Sequence, residues 1–116
     1  MRTLRSLFVL VMLCVGSLAC SRSNTPVACT PSGPTQTVDL KDFAFDPVCI
    51  GAPRGATLSL QNTGSVLHTF TVTGTAIDQK LDGGADGQVS LAGIAPGTYA
   101  VVCTVHPQMT ATLQVT

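Results

Sequence analysis

Short runs in which apolar and polar residues alternate dominate the chain from residue 37 onward. The clearest runs are 56–61, 68–73 and 111–116, and alternation of this kind is typical of a β-strand with one buried face. The same reasoning predicts further strands at 37–43, 48–50, 88–91 and 98–102. Residues 37–116 are therefore predicted to form a series of β-strands.

Turn-forming residues separate these strands. Gly, Pro, Asn, Asp and Ser cluster at 51–55, 62–65, 81–87 and 95–97. No long segment has a helical period, and only a turn of helix around 76–80 is expected. Many short strands at such spacing favour an all-β sandwich or barrel.

The N-terminal residues have the pattern of an export signal. Two arginines precede an apolar run, residues 7–19, which is shorter than the ~20 residues that a membrane-spanning helix needs. Cys20 directly follows this run, as the acylated cysteine does in a bacterial lipoprotein signal. We expect residues 1–19 to be a signal peptide and Cys20 to be lipidated. Ordinary export with cleavage after Ala19 is the alternative.

Ser, Thr, Pro and Gly dominate residues 21–36, a composition that buries little apolar surface and is typical of an extended tether. The expected organisation is a signal peptide at 1–19, an anchor cysteine with a flexible tether at 20–36, and one folded domain at 37–116. Without the leader the chain has four cationic side chains and six aspartates, a formal net charge of −2. No basic stripe is available for nucleic acid, so that class of partner is excluded.

Four potential metal donors lie in the strand-forming region. Cys103, His106 and Met109 are spaced three and three in a loop between two predicted strands, and His68 begins a strand of its own. Outside the leader these are the only histidines and the only methionine. Two imidazoles and a thiolate, with a thioether as a weak axial ligand, form the donor set of a mononuclear copper centre. The four residues therefore predict a copper site.

Each donor has a structural alternative when it is considered singly. His68 is in phase with Phe70 and Val72, so it can be a buried histidine with a hydrogen-bond partner. Cys103 and Met109 can be apolar core residues. A cysteine and a histidine can also act as a nucleophile and its base, and zinc accepts cysteine and histidine but gains little from methionine. All four residues together favour copper.

At these residues the sequence resembles the small cupredoxins, the plastocyanin and amicyanin group of type 1 blue copper proteins. The loop from Cys103 to Met109 has the short, amicyanin-like spacing, with a proline after His106. The resemblance covers about residues 37–116 and implies an antiparallel Greek-key β-sandwich. It also implies that Cys103, His68 and His106 are the equatorial ligands of one copper ion and that Met109 is the axial ligand.

The family pattern also bears on the residues around His68. Asn62 lies six residues before His68, as an asparagine does in that group. Family members commonly have asparagine directly after this histidine, where it braces the cysteine loop, but here the residue is Thr69. A threonine hydroxyl is shorter, yet it can form a hydrogen bond towards Thr104. Leu67 stands where the family often has proline.

Two further cysteines are expected to form a disulfide. With Cys20 lipidated and Cys103 on copper, Cys29 and Cys49 are the thiols that remain in the exported chain. Export places them in an oxidising compartment. The bond would join the tether to the sandwich.

The expected function is the transfer of single electrons between redox partner proteins outside the cytoplasm. Copper would alternate between Cu(I) and Cu(II) without chemistry on a substrate, so we do not expect an enzyme. The alternative is an extracytoplasmic copper carrier or sensor with the same site. The expected molecule is a monomer on the periplasmic or cell-surface side of a membrane, held there by its lipid. His106 should reach the surface within a small apolar patch formed by Val66, Leu67, Pro96 and Pro107, whereas His68 should face the core.

Overall fold

The computed structural model describes residues 28–30 and 33–116, and in these residues the chain forms strands and turns without a helix. The strands are β1 (Thr35–Lys41), β2 (Ala44–Asp46), β3 (Cys49–Ala52), β4 (Thr57–Asn62), β5 (His68–Val72), β6 (Asp78–Leu81), β7 (Asp86–Ser90), β8 (Gly97–Val102) and β9 (Thr110–Val115). This part of the chain has no helix of the length and hydropathy that crossing a membrane requires. The expected signal peptide and the lipidated Cys20 lie outside the described residues.

The strands form two sheets that enclose one core. One sheet has the order β2-β1-β4-β7 and the other has the order β3-β9-β8-β5-β6. The predicted all-β sandwich is confirmed. Each sheet is mixed, because β1 runs parallel to β4 and β3 runs parallel to β9, whereas the other pairs are antiparallel. Alternation along a strand shows which side chains face the core, but it does not determine the direction of the neighbouring strand.

Two strands differ from the sequence-based expectations. β2 was not expected as a separate strand, and the helical turn expected around 76–80 is wrong because β6 occupies this segment. β6 pairs with β5 in an antiparallel register that places Leu81 opposite His68 and Asp78 opposite Thr71. The pairing supplies backbone hydrogen bonds that the weak local pattern of this segment does not indicate.

The ordered domain begins before residue 37. β1 starts at Thr35, and Cys29 is buried and joined to Cys49 by a disulfide, the pairing that the sequence analysis expects. The backbone N–H of Cys29 also donates to the Gln114 side chain over 2.7 Å. The end of the expected tether is therefore part of the folded domain, because the disulfide and this hydrogen bond hold it against β3 and β9.

The core consists of the inward side chains of both sheets. The rings of Phe45 and Phe70 meet edge to face at its centre, 5.8 Å apart. The largest fully buried side chains are Phe45, Phe70, Leu40, Ile50, Leu58, Leu60, Leu91, Met109, Leu113, His68, Val38 and Val72. His68 is the polar member of this set, and a buried imidazole needs partners for its two nitrogens.

Candidate metal centre

The spacing of the loop donors follows from two successive turns. Cys103 directly follows β8, and the N–H of His106 donates to the Cys103 carbonyl over 3.3 Å. The N–H of Met109 then donates to the His106 carbonyl over 2.9 Å, and the N–H of Cys103 donates to the Met109 carbonyl over 3.0 Å. Each interval of three residues is thus one hydrogen-bonded turn, so the three donors return to the same end of the sandwich.

Three donor atoms converge at this end of the sandwich. The Sγ atom of Cys103 lies 3.8 Å from Nδ1 of His68 and 3.7 Å from Nδ1 of His106, and the two Nδ1 atoms are 3.2 Å apart. His68 reaches this point from the first position of β5, on a different strand from the loop. The structure therefore brings together the histidines and the cysteine that the sequence analysis singled out.

The triangle of donor atoms fits a small metal ion. A circle through the three atoms has a radius of about 2.1 Å, which is the usual distance from an imidazole nitrogen to a first-row metal such as zinc. Met109 is buried at the end of the same loop. Together the four residues are positioned as a copper site, with a soft thiolate and thioether beside two imidazoles.

The surroundings of Cys103 favour the thiolate that such a site needs. Burial of this side chain raises the pKa of its thiol, but the backbone N–H of Thr69, the rings of His68 and His106, and the backbone N–H of Val105 lower it. The Thr69 N–H lies 3.3 Å from the sulfur. The net result is a pKa of about 6, below the ordinary value of 9.0. The loop can therefore present an ionised sulfur near neutral pH.

Thr69 braces the cysteine loop in the way its position suggested. Its Oγ1 accepts a hydrogen bond from the backbone N–H of Thr104 over 2.8 Å, and it lies 3.2 Å from the Thr104 hydroxyl. The same Oγ1 is 3.1 Å from the hydroxyl of Thr71, which donates to Asp78. The threonine thus holds the loop directly, and its hydroxyl links the loop to β5 and β6.

Asn62 holds the segment that leads into His68. Its side-chain amide donates to the carbonyls of Val66, Leu81 and Asp82 at 2.8, 2.9 and 3.0 Å, and its carbonyl accepts from the Gly64 N–H at 3.0 Å. The fully formed network fixes the loop between β4 and β5. Asn62 lies six residues before His68 because it holds the loop that leads into this histidine.

The sequence analysis did not identify Asp42 as a contributor to the site. Its Oδ1 lies 2.7 Å from Nε2 of His68, on the side of the ring away from the sulfur. The backbone N–H of Ser65, the His68 ring and the Ser65 hydroxyl hold the pKa of this carboxyl at about 2, below its ordinary value of 3.8. Asp42 is 26 residues from His68 in sequence. No local pattern could have revealed the contact.

Phe43, the next residue, was also missed. Its ring centroid is 4.8 Å from that of His106 and 5.9 Å from that of His68. Half of its surface is exposed, and Val66, Leu67 and Val105 are further exposed apolar residues. His106 itself is partly exposed. The sequence analysis placed residue 43 at the end of a predicted strand, and only the fold places its exposed ring against His106.

The chain matches the family model of the cupredoxin-like domain over residues 7–115. Among curated proteins none matches the chain by sequence. Solved structures with the same fold include a purple cupredoxin from Nitrosopumilus maritimus, with a TM-score of 0.61, 17% identity, and coverage of 70% of this chain and 99% of that chain. Auracyanin from Roseiflexus castenholzii, in a dithionite-reduced form, has a TM-score of 0.60 and 16% identity over 73% of this chain and 98% of that chain.

A copper-containing nitrite reductase from Thermus scotoductus SA-01 is also similar, with a TM-score of 0.61 and 22% identity over 71% of this chain. The chain spans only 22% of that protein. At these identities the structural likeness establishes the fold. The assignment of the site to copper rests on the family match together with the donor geometry.

Proposed function

The chain belongs to the family of cupredoxin-like domains, and we propose that it is a type 1 copper protein that carries single electrons between redox partners outside the cytoplasm. The observation that carries this proposal is the convergence of Cys103 Sγ with the Nδ1 atoms of His68 and His106. Two imidazoles and one thiolate at these distances would suit a bound copper ion.

When bound, copper would supply a one-electron change between Cu(I) and Cu(II). The residues of the chain hold the donors in place during that change. His68 is fixed by β5, and the cysteine loop is closed by its own turns and by Thr69. A rigid donor set limits rearrangement on gain or loss of an electron, which favours fast transfer. The reduced form in which the related auracyanin was crystallised is consistent with this use of the fold.

Electrons are proposed to enter and leave through His106. This histidine is partly exposed, and the apolar side chains of Phe43, Val66, Leu67 and Val105 are exposed in the same group of loops. We name the surface formed by these four residues the apolar face. A small apolar surface suits brief docking with easy release. Copper delivery is the second candidate function, since a partly exposed ligand would also ease exchange of the metal.

The first test adds Cu(II) to the purified full-length chain and records its visible spectrum. The expected result is an intense charge-transfer band from one equivalent of copper, because the thiolate of Cys103 is a ligand. Zn(II) added in the same way is the matched control, since it fills the site without such a band. A colourless copper adduct would contradict the type 1 assignment.

A second measurement separates electron transfer from copper delivery. An electron carrier must retain the metal in both oxidation states, so we expect Cu(I) to remain bound in the presence of a competing chelator and electron self-exchange to be fast. Ready loss of Cu(I) together with slow self-exchange would favour the carrier.

The proposed location is the periplasmic or cell-surface side of a membrane, with Cys20 as the lipid anchor. The disulfide between Cys29 and Cys49 supports an oxidising compartment. Mass spectrometry of the protein purified from its membranes should find an acylated N-terminal cysteine at position 20. A soluble product with an unmodified Cys20 would contradict the anchor and leave ordinary export.

A further inference from the structure

The ring of His68 is contacted from two opposite sides. Its Nδ1 faces the sulfur of Cys103 and Nδ1 of His106 at 3.8 and 3.2 Å. Its Nε2 faces Oδ1 of Asp42 at 2.7 Å. The ring is fully buried, so water cannot replace either contact. A neutral imidazole has one N–H and one lone pair, and an ionised carboxylate only accepts, so the proton belongs on Nε2.

We propose that Asp42 is a positioning residue that holds His68 in the metal-binding tautomer and lowers the reduction potential of the copper. This inference rests on the proposed function. The carboxylate keeps Nδ1 free of a proton and draws the Nε2 proton towards itself, which makes Nδ1 a stronger donor. A stronger donor next to a negative charge favours the more highly charged Cu(II) over Cu(I).

Asp42 is itself fixed by contacts that do not involve His68. The backbone N–H and the hydroxyl of Ser65 donate to its Oδ2 at 2.9 and 2.8 Å. One oxygen therefore accepts from Ser65 while the other accepts from the ring. An amide at this position has only one accepting atom, so asparagine cannot satisfy both neighbours at once. A carboxylate therefore fits these two sets of donors better than an amide does.

The loop between β4 and β5 leaves space for this carboxylate. Gly64 lies beside it, and a Cβ atom built on Gly64 would overlap Oδ1 of Asp42, the atom that contacts the ring. Asn62, the residue that fixes the loop, also accepts a hydrogen bond from the Gly64 N–H. The same loop thus supplies the donors of Ser65 and the space at Gly64. This loop is therefore placed so that it can hold a carboxylate against the His68 ring.

The first experiment needs no substitution. In the metal-free full-length chain, nitrogen-15 NMR of the histidine rings should show the proton of neutral His68 on Nε2. A proton on Nδ1 would overturn the inference, even if the copper-loaded protein has the expected colour. A colourless copper adduct would instead contradict the proposed function, so the two failures can be told apart.

The second experiment measures the reduction potential of Asp42→Asn and Gly64→Ala. Loss of this kind of support for a ligand lowers metal affinity by roughly tenfold or more. If the loss falls on Cu(II), a tenfold effect raises the potential by about 59 mV for one electron. Gly64→Ala acts by displacing the carboxylate and leaves Asp42 itself in the chain, so it stands in if Asp42→Asn does not fold.

Two controls complete the design. Asp86→Asn removes an exposed carboxylate on β7 and corrects for the change in net charge. Ser65→Ala removes one hydrogen bond to Asp42 and leaves the ring contact in place, so Nε2 should keep its proton. A rise in potential for Asp42→Asn beyond that of Asp86→Asn, and for Gly64→Ala beyond that of the unchanged chain, supports the inference. Potentials equal to these two references would overturn it.

Discussion

The two histidines of the site lie 3.2 Å apart at their Nδ1 atoms, yet their surroundings are opposite. His68 has no exposed surface, stands at the start of β5 and contacts a carboxylate. His106 is partly exposed, stands in the loop between β8 and β9 and contacts the exposed ring of Phe43. The inner half of the site is therefore held by the sandwich, and the outer half is held by a loop at the surface.

This difference separates two requirements of an electron carrier. The metal needs donors that do not move when its charge changes, and the β-sheet with its buried hydrogen bonds supplies them. A partner needs a short path to the metal, and a ligand at the surface supplies it. Because one ligand serves each requirement, changes to the inner half should affect the metal itself, whereas changes to the outer half should affect access to it.

The largest effect is expected from removal of the atom that both histidines face. Cys103→Ser should abolish the charge-transfer colour completely, because only the thiolate supplies that transition, while the sandwich stays folded. The visible spectrum after addition of Cu(II) measures the loss of colour, and far-UV circular dichroism checks that the variant is folded. A coloured Cys103→Ser variant would refute the ligand assignment.

The next prediction tests the comparison directly with His106→Gly and His68→Gly. Each variant should lose its colour, but added imidazole should restore it only in His106→Gly, because the outer position opens to solvent and the inner one does not. The recovery is measured in the visible spectrum, with circular dichroism as a check on folding. Equal recovery in both folded variants would show that the two halves do not differ in access.

A smaller effect is expected from a charge on the apolar face. Leu67→Asp should slow electron self-exchange severalfold at low salt, because two like-charged faces repel, and added salt should restore the rate. Thr98→Asp is the matched control, since Thr98 is exposed near the end of β8 that is remote from Cys103. Its rate should stay close to that of the unchanged chain, and both spectra should be unaltered. Equal slowing by the two substitutions would show that electrons do not pass through the apolar face.

The smallest effect concerns the pH dependence of the metal-free protein. The pKa of Cys103 is about 6 in the folded chain and 9.0 for an ordinary thiol. Because the folded pKa is the lower one, the unfolded chain binds more protons between these values, and the free energy of unfolding should rise as the pH increases from about 6 to 9. The gain is lost as the pH falls through about 6.

Urea unfolding at several pH values measures this dependence, and Cys103→Ser should remove the part that comes from the thiol. A slope that is unchanged in Cys103→Ser would show that the Cys103 sulfur is not ionised in the folded chain.

Much of the architecture could be predicted because its signals are local. Alternation at 56–61, 68–73 and 111–116 corresponds to β4, β5 and β9 within about a residue or two. The pattern failed at β6, where the residues alone resemble a turn of helix and only pairing with β5 makes them a strand. It also could not reveal the parallel pairs, because strand direction depends on partners distant in sequence.

The candidate site divides in the same way. The sequence by itself determined the donors: residue type decides which atoms can bind a soft metal, and the spacing of Cys103, His106 and Met109 matches two consecutive turns. Only the tertiary structure decided what surrounds them. Asp42 and Phe43 reach the two histidines because the turn between β1 and β2 lies over the end of the other sheet. Contacts of this kind depend on the packing of the sheets, which a linear pattern does not contain.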